Sequence, residues 1–427
     1  MTPRRIVIVG AGLSALAMAR AMDFRLDRLA QGTVEVTLIT PSPSADLTPL
    51  VPSVMSGTLS PWQAAIPFRP WLRHVKVVHA KLDRVDSSTR QLQLSGPSVE
   101  ASLCESPLGY DALILAPEPL VASPSDNSNE VPCPIDCARA MDLRGRILAL
   151  MTSASLNESS RHRRAKLAVA VIGNDAYAAS IALSTSRLLR EASRFVDRVA
   201  IDEVAVSLIS TAPDLSGGLG PAASRFVQNS LENEGISLHL DIRQVTIEGS
   251  NLALCDRSNQ SKNIEATTVI QAQRHAPQWP GVEPICDENR SGFAVKATGE
   301  LVGSDAIFVL GPCAIDEGSA MKASNTPASV LVQAQRLAEQ LVPSGRAFVK
   351  PRAVREGIKL DALHLSLDRG AVLFGNRAIG GLLGAVAAQR AILAVGPSSW
   401  WHLLSPLIAL NARSARSNGP FPSLLEP

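Results

Sequence analysis

The chain has 427 residues, of which 46% are hydrophobic and 19% are charged, and its formal net charge is +2. This length predicts more than one domain, and the composition is that of a globular protein. The small net charge gives no indication of nucleic-acid binding, and no uninterrupted apolar stretch is long enough for a transmembrane helix. The N-terminal apolar run lacks the features of a signal peptide, so we expect a cytoplasmic protein.

The N-terminus carries a glycine turn between two regular elements. Residues 5–9 (RIVIV) form an apolar run that leads into Gly10, Ala11 and Gly12 and then into an alanine-rich helical pattern. Such a turn is typical of a dinucleotide-binding βαβ unit, in which Gly12 lets the backbone approach a pyrophosphate and the helix start presents free N–H groups. The alternative is a tight turn without a ligand. The predicted contacts are Gly10, Gly12, Leu13, Ser14 and Ala15.

Six cysteines are scattered along the chain, and only Cys133 and Cys137 lie close together. The three residues between them do not match the common zinc or thioredoxin spacings. We therefore expect free thiols in a reducing compartment and no metal site. Residues 40–76 contain no cysteine, which argues against a disulfide reductase.

A second unit of the same type begins at residue 166. Residues 166–173 read as a buried strand and residues 176–189 as a helix, joined by Gly173, Asn174 and Asp175. Residues 121–131 and 153–165 are polar and predict surface connections. The basic cluster at residues 161–164 fits either a solvated loop or a contact with phosphates or a membrane.

The next motifs carry a resemblance to a known family. Residues 48–61 (TPLVPSVMSGTLSP) and 66–69 (IPFR) are similar to the segment of type II NADH dehydrogenases that follows their FAD strand. Residues 110–116 and 306–314 resemble two later strands of that family, and Gly370, Phe374, Gly375 and residues 396–403 resemble its C-terminal motifs. The resemblance covers essentially the whole chain.

This resemblance implies an α/β fold with two Rossmann-like dinucleotide-binding domains. The FAD-type domain is discontinuous, at 1–120 and 290–345, and the NAD(P)-type domain is inserted at 155–285. Residues 346–427 form a C-terminal interface or membrane-associating region. The implied cofactor is FAD, and the implied partner is a quinone or another small redox acceptor.

The chain departs from the family where the cofactors bind. Thr40 stands where an acidic residue bonds the FAD ribose, Ala116 begins an Ala-Pro-Glu turn in place of Ala-Thr-Gly, and Gly311 is followed by Pro312 instead of aspartate. Each change removes a cofactor contact, since proline has no polar side-chain atom. Thr40, Ala116, Gly311 and Pro312 complete the predicted flavin site.

The second nucleotide site departs further. Asp175 replaces the middle glycine of the fingerprint, which predicts steric and like-charge conflict with a pyrophosphate. Ser210 stands at the position of the acidic ribose contact, and residues 273–274 replace a late glycine. We therefore do not expect NAD(P)H in the usual pose, and residues 166–285 read as a scaffold.

Two further features concern the acceptor and the membrane. Gln333, in a helix predicted over residues 328–341, stands where the family places glutamines near its quinone pocket, although exposed helix polarity explains it equally well. Trp400, Trp401 and the apolar residues after them fit an interfacial segment on the inner face of a membrane. Packing into the core or into a homodimer interface is the alternative reading.

Three functions are compatible with the sequence. The first, which is our working interpretation, is an FAD-binding oxidoreductase that passes electrons from a reductant to a quinone-type acceptor, with low or absent turnover of NADH. The second is a flavin protein that uses another donor or senses redox state. The third is a pseudoenzyme that acts as a scaffold, a sensor or a complex subunit.

Overall fold

The computed structural model describes residues 3–27, 33–96, 107–121, 129–215, 217–286, 291–316, 326–342, 360–375 and 377–394. Eight α-helices lie in these ranges: Leu13–Leu26, Val51–Met55, Cys137–Ser155, Ser160–Lys166, Ala176–Ala192, Pro221–Glu232, Pro327–Leu341 and Gly381–Leu393. None of the helices in the described part of the chain is long and apolar enough to cross a bilayer.

The first sheet has five parallel strands with the N-terminal strand at its centre. From edge to edge the order is Ile307–Val309, Ala112–Leu115, Arg4–Val9, Val34–Thr40 and Val75–His79. The last four residues of the central strand are buried isoleucines and valines. Helices cover both faces of such a sheet, so its central strand must be apolar on both sides.

The second sheet repeats this arrangement. Its order is Glu130–Pro132, Thr268–Gln271, Ala168–Ile172, Ala205–Ile209 and Ser237–His239, again all parallel. The strand before the glycine turn is central in both sheets. The strand Ile307–Val309 joins the first sheet after the chain has completed the second, which confirms two Rossmann-like units of which the first is discontinuous.

The remaining strands form smaller sheets around these two units. They are Ser44–Asp46 with Ala65–Pro67; Lys81–Asp86, Gln91–Ser95 and Leu108–Gly109; Leu120–Val121 with Arg274–His275; Ile242–Glu248, Asn251–Asp256 and Ser261–Glu265; Ile285–Cys286, Ser291–Val295 and Ala314–Asp316; and Leu360–Ser366, Arg369–Phe374 and Arg377–Ile379.

Two segments predicted as surface connections contain regular structure. The segment 121–131 holds the end of one strand and the start of the edge strand Glu130–Pro132, with residues 122–128 outside the described ranges. The basic cluster lies in the exposed helix Ser160–Lys166 instead of a loop. Arg163 anchors that helix by an ion pair of 2.7 Å with Glu203, and this pairing compensates the charge of Arg163 inside the protein.

The C-terminal hairpin, Leu360–Ser366 with Arg369–Phe374, packs against the helix Ala176–Ala192 of the second unit. The Ser180 hydroxyl donates to the carbonyl of Leu365. The Arg187 guanidinium donates to both carboxylate oxygens of Asp368, at 2.6 and 2.8 Å. These contacts hold the hairpin along the second-unit helix, from Ser180 in its first half to Arg187 in its second half.

Candidate functional site

The N-terminal turn, residues 10–12, brings the first helix close to the neighbouring strand. A Cβ added at Gly10 would lie 2.9 Å from the Ala15 Cβ and 3.1 Å from the Ala116 carbonyl carbon. Ala116 is held there by its N–H, which donates to the Val9 carbonyl at 2.8 Å. Glycine is therefore required at residue 10, as the fingerprint predicts.

A carboxyl group of the protein lies where this turn would receive a phosphate. A Cβ added at Gly12 would overlap the side chain of Glu118. Thr48 donates a hydrogen bond of 3.2 Å to Glu118 Oε2, while Oε1 is buried without a partner among the described residues. Burial raises the pKa of Glu118, and the Thr48 hydroxyl and the Ser14 backbone oppose this shift.

The other predicted flavin contacts lie around the same helix start. Gly311 has a φ of +94° and packs against the Ser14 side chain, where a Cβ would come within 2.9 Å of the Ser14 Cβ. Thr40 is fully buried, and its hydroxyl is engaged in its own turn, since it donates to the Ser42 carbonyl at 3.1 Å. The backbone of the turn is thus retained, while the Thr40 hydroxyl is directed to a local contact.

The second turn, residues 173–175, holds an internal ion pair. Asp175 caps the helix Ala176–Ala192 by accepting hydrogen bonds from the N–H groups of Tyr177 and Ala178, at 3.1 and 3.0 Å. Its other carboxylate oxygen accepts from Arg274 Nη2 and from Nε, the latter at 3.2 Å. The Arg274 guanidinium lies 4.6 Å from the centre of the Tyr177 ring. Burial opposes the charge on Arg274, but Asp175 raises the pKa of Arg274 above its usual value.

The sequence predicted a conflict between Asp175 and a bound pyrophosphate, and the structure shows how it would arise. The Asp175 carboxylate occupies the anion position at the start of the helix and is paired with the Arg274 cation. Beside it, Asn174 Oδ1 accepts from the Ser210 hydroxyl at 3.2 Å and from the Thr211 N–H at 3.0 Å. Ser210 is buried and bonded inside the protein, at the position where the family has an acidic ribose contact.

A cavity of about 210 Å³, called the central cavity below, lies between the two turns. Its walls come from both units and the C-terminal hairpin. They include Leu13, Ser14, Thr48, Glu118, Asp175, Tyr177, Arg274, Pro312, Cys313, Thr326, Val330, Ala362 and His364. Because the carboxyl ends of both parallel sheets converge on this region, it is where an α/β fold binds its ligands.

The hairpin contributes two titratable residues that the sequence reading missed. His364 is 8% exposed, lines the central cavity, and has no hydrogen-bond partner at either ring nitrogen among the described residues. Burial lowers the pKa of His364 to about 4. Asp361 accepts a hydrogen bond from Thr326, and burial raises the pKa of Asp361 to about 7. The resemblance gave no reason to examine a histidine in this strand.

Other predicted features lie away from the central cavity or outside the described ranges. Gln333 is 1% exposed in the helix Pro327–Leu341, so exposed helix polarity does not explain it, and it is not among the residues that line the cavity. Cys133, Cys137 and Cys255 form no disulfide, Cys313 forms none either but lies in the cavity wall, and the described residues contain no metal-binding cluster. Trp400, Trp401 and the segment after them lie outside the described residues.

A family model described as pyridine nucleotide-disulphide oxidoreductase matches residues 4–336. The chain belongs to this family. The type II NADH:quinone oxidoreductase NdhA of Mycobacterium tuberculosis is 24% identical to this chain over 323 residues. The match covers 72% of this chain and 65% of NdhA. The type II NADH:quinone oxidoreductase Ndh of the same organism is 25% identical, over 74% of this chain and 68% of Ndh. The match thus spans about two thirds of each relative.

Solved structures support the same fold. The structure of NDH2 from Plasmodium falciparum in complex with NADH has a TM-score of 0.76 at 14% identity, covering 98% of this chain and 99% of that one. The sulfide:quinone oxidoreductase of Aquifex aeolicus has a TM-score of 0.69 at 16% identity, covering 94% and 95%. The two-unit fold of the family extends through the C-terminal hairpin.

FAD is the cofactor that membership of the family implies. The N-terminal turn offers the required backbone, but the Glu118 side chain fills the space in front of Gly12. The pyrophosphate of FAD does not fit there while Glu118 holds this position. At the second turn, the Asp175 carboxylate and its ion pair with Arg274 occupy the space in front of the helix start.

Proposed function

We propose that this protein is a flavin-dependent oxidoreductase that delivers electrons to a quinone-type acceptor and does not take them from NADH bound in the usual pose. The observation that carries this proposal is the central cavity, which lies at the carboxyl ends of both sheets beside the intact N-terminal turn. The type II NADH:quinone oxidoreductases among its relatives support the reaction class. The Asp175–Arg274 pair supports the exclusion of NADH.

A second candidate function has its own support. Each turn that would receive a phosphate has a carboxyl group of the chain in front of it, Glu118 at the first and Asp175 at the second. A family member that has given up dinucleotide chemistry and acts as a scaffold, a sensor or a complex subunit would show this arrangement.

Flavin content and electron transfer separate the two candidates. The purified protein should show flavin absorbance at about 450 nm, either as isolated or after incubation with flavins. A soluble quinone analogue should then be reduced with a chemical reductant as donor, and much more slowly with NADH. Absence of bound flavin under all these conditions would favour the second candidate.

We also propose peripheral membrane contact at the C-terminal end of the described chain. An apolar patch, defined by Phe374, Ile379, Leu382, Leu383 and Val386, is exposed there, and Leu383 is 80% exposed. Exposed apolar patches of this kind mark interaction surfaces. A homodimer interface at the same patch is the competing proposal.

A further inference from the structure

We propose that Arg144 anchors a binding site for a small oxyanion, a carboxylate or inorganic phosphate, where the helix Cys137–Ser155 packs against the turn at residues 56–58. The site is separate from the central cavity, whose lining residues do not include Arg144. It does not depend on the proposed flavin-dependent function.

Arg144 is a buried cation without a counter-charge. It is 9% exposed, and it makes no hydrogen bond or ion pair with another residue in the described part of the chain. Other half-buried arginines are paired, as Arg163 is with Glu203 and Arg274 with Asp175. Burial lowers the pKa of Arg144, and no described carboxylate raises it again. A buried charge is costly unless it is paired, so an anion from solution would relieve this cost.

Gly57 determines how the Arg144 guanidinium lies. A Cβ added at Gly57 would lie 2.8 Å from Arg144 Cζ and 2.8 and 2.9 Å from its two Nη atoms. These nearly equal distances place Gly57 against the flat face of the guanidinium. The N–H groups of a guanidinium point outward in its plane, so this contact uses none of them. The φ of Gly57 is +79°, and glycine therefore permits both the turn and the close approach.

The guanidinium of Arg144 keeps a narrow opening to solvent. None of its three nitrogens is among the fully enclosed polar atoms that lack a partner in the described ranges. Because these nitrogens have no partner, each of them retains some accessible surface. The small exposure of the residue favours a ligand of a few atoms over a nucleotide or a protein segment.

The unused donors determine the class of ligand. A guanidinium donates two parallel hydrogen bonds to a carboxylate or a phosphate group. The adjoining turn has no acidic side chain, and its Ser56 and Thr58 hydroxyl oxygens lie 3.0 Å apart on the two sides of Gly57. The N–H groups of Thr58 and Leu59 already donate to a carbonyl within the turn. The main contact with the anion therefore comes from Arg144.

Urea unfolding of the full-length protein in phosphate or acetate, with chloride added to constant ionic strength, tests the inference. A ligand that binds only the folded state stabilises it, so the wild-type midpoint should rise and level off, with half of the rise below about 10 mM anion. Arg144→Met should abolish this rise without loss of stability in chloride, because the lost charge had no partner. Arg144→Lys keeps the charge without the planar fork and should bind at least about tenfold more weakly.

Arg146→Gln, at an exposed arginine of the same helix, is the matched control and should keep the wild-type response. A saturable rise with only one of the two anions supports the site and identifies its ligand. A rise that does not level off, or that Arg144→Met shares, is the general effect of phosphate on folded proteins and overturns the inference. The absence of any rise in wild type also overturns it, and Arg144 is then a structural residue only.

Discussion

Gly12 and Glu118 lie in contact, and the Glu118 side chain fills the space that a side chain at residue 12 would need. Gly12→Ala should lower the free energy of unfolding by about 1–3 kcal/mol, because the new Cβ overlaps the Glu118 carboxyl. Adding Glu118→Ala should restore most of the loss. Denaturant unfolding of the single and double variants measures both effects.

Gly145 provides the matched control for that pair of variants. A Cβ at Gly145 would meet no atom within 4 Å, and the residue lies inside the helix Cys137–Ser155. Gly145→Ala should therefore leave stability unchanged or raise it by up to about 1 kcal/mol. A Gly12→Ala variant as stable as wild type would show that Glu118 moves away from Gly12 at little cost.

Asp361 and His364 should give opposite dependences of stability on pH. In the native protein Asp361 keeps its proton up to about pH 7, whereas its ordinary pKa is 3.8, so its contribution to stability falls as pH rises through this window. His364 stays neutral down to about pH 4, whereas its ordinary pKa is 6.5, so its contribution falls as pH drops from 6.5 to 4.

Single variants separate these two opposing effects. Asp361→Asn should lose stability as pH drops from about 6.5 to 4, and His364→Leu should lose stability as pH rises from about 4 to 7. Urea midpoints measured across this range test both directions. Parallel pH profiles for the two variants would contradict the assignment.

At the scale of the elements, the helix Ala176–Ala192 depends on Asp175 for its start. Asp175→Gly removes the cap and leaves Arg274 available to an anionic ligand, so this variant should gain saturable NADH binding that wild type lacks below about 1 mM. Adding Ser210→Glu should strengthen the gain. Calorimetric titration with NADH is the measurement.

Asp175→Asn is the control for this prediction. Asparagine also caps helices well and fills the same space, so the turn should remain closed to NADH. Tight NADH binding by wild type would show that the second turn binds nucleotide despite Asp175, and that this part of the proposal is wrong.

The sequence predicted the elements around both turns well and the contacts inside them less well. The strand Ala168–Ile172 and the helix Ala176–Ala192 follow from continuous apolar runs beside glycine, a local signal. The partner of Asp175 did not follow, because Arg274 is 99 residues away and only the fold brings it to the turn. An acidic residue in place of the middle glycine and an arginine in place of the late one were the signal for this pair.

Glu118 and His364 were harder to place for the same reason. Glu118 was read as the loss of a cofactor contact, while its side chain in fact reaches across to Gly12 from the end of a neighbouring strand. His364 belongs to a strand whose position depends on contacts with the second unit, such as that between Ser180 and Leu365. Side-chain direction across two packed units is not encoded in local periodicity.

At the scale of the whole molecule, the exposed apolar patch should determine membrane contact together with the segment after it. Leu383→Glu should reduce co-sedimentation with vesicles that contain anionic lipid, because it places a charge at the most exposed position of the patch. A truncation ending at Gly396 should reduce it further. Leu156→Glu, at an equally exposed leucine outside the patch, should have no effect.

The homodimer alternative gives a different result in the same proteins. If the patch is a subunit interface, Leu383→Glu should yield monomers in sedimentation analysis, and the wild-type protein should ignore vesicles. The two outcomes exclude each other, because an apolar patch that is buried between two subunits is not free to contact lipid.

The carboxyl groups at the two helix starts also bear on how the protein is maintained in a cell. A protein that binds a ligand only when folded gains stability in proportion to the free concentration of that ligand, so many cofactor proteins become scarce when the vitamin supply falls. Here Asp175 caps its helix and Glu118 stands before the other without any ligand. The abundance of this protein should therefore fall less during riboflavin starvation than that of flavoproteins whose helix starts are completed only by the cofactor.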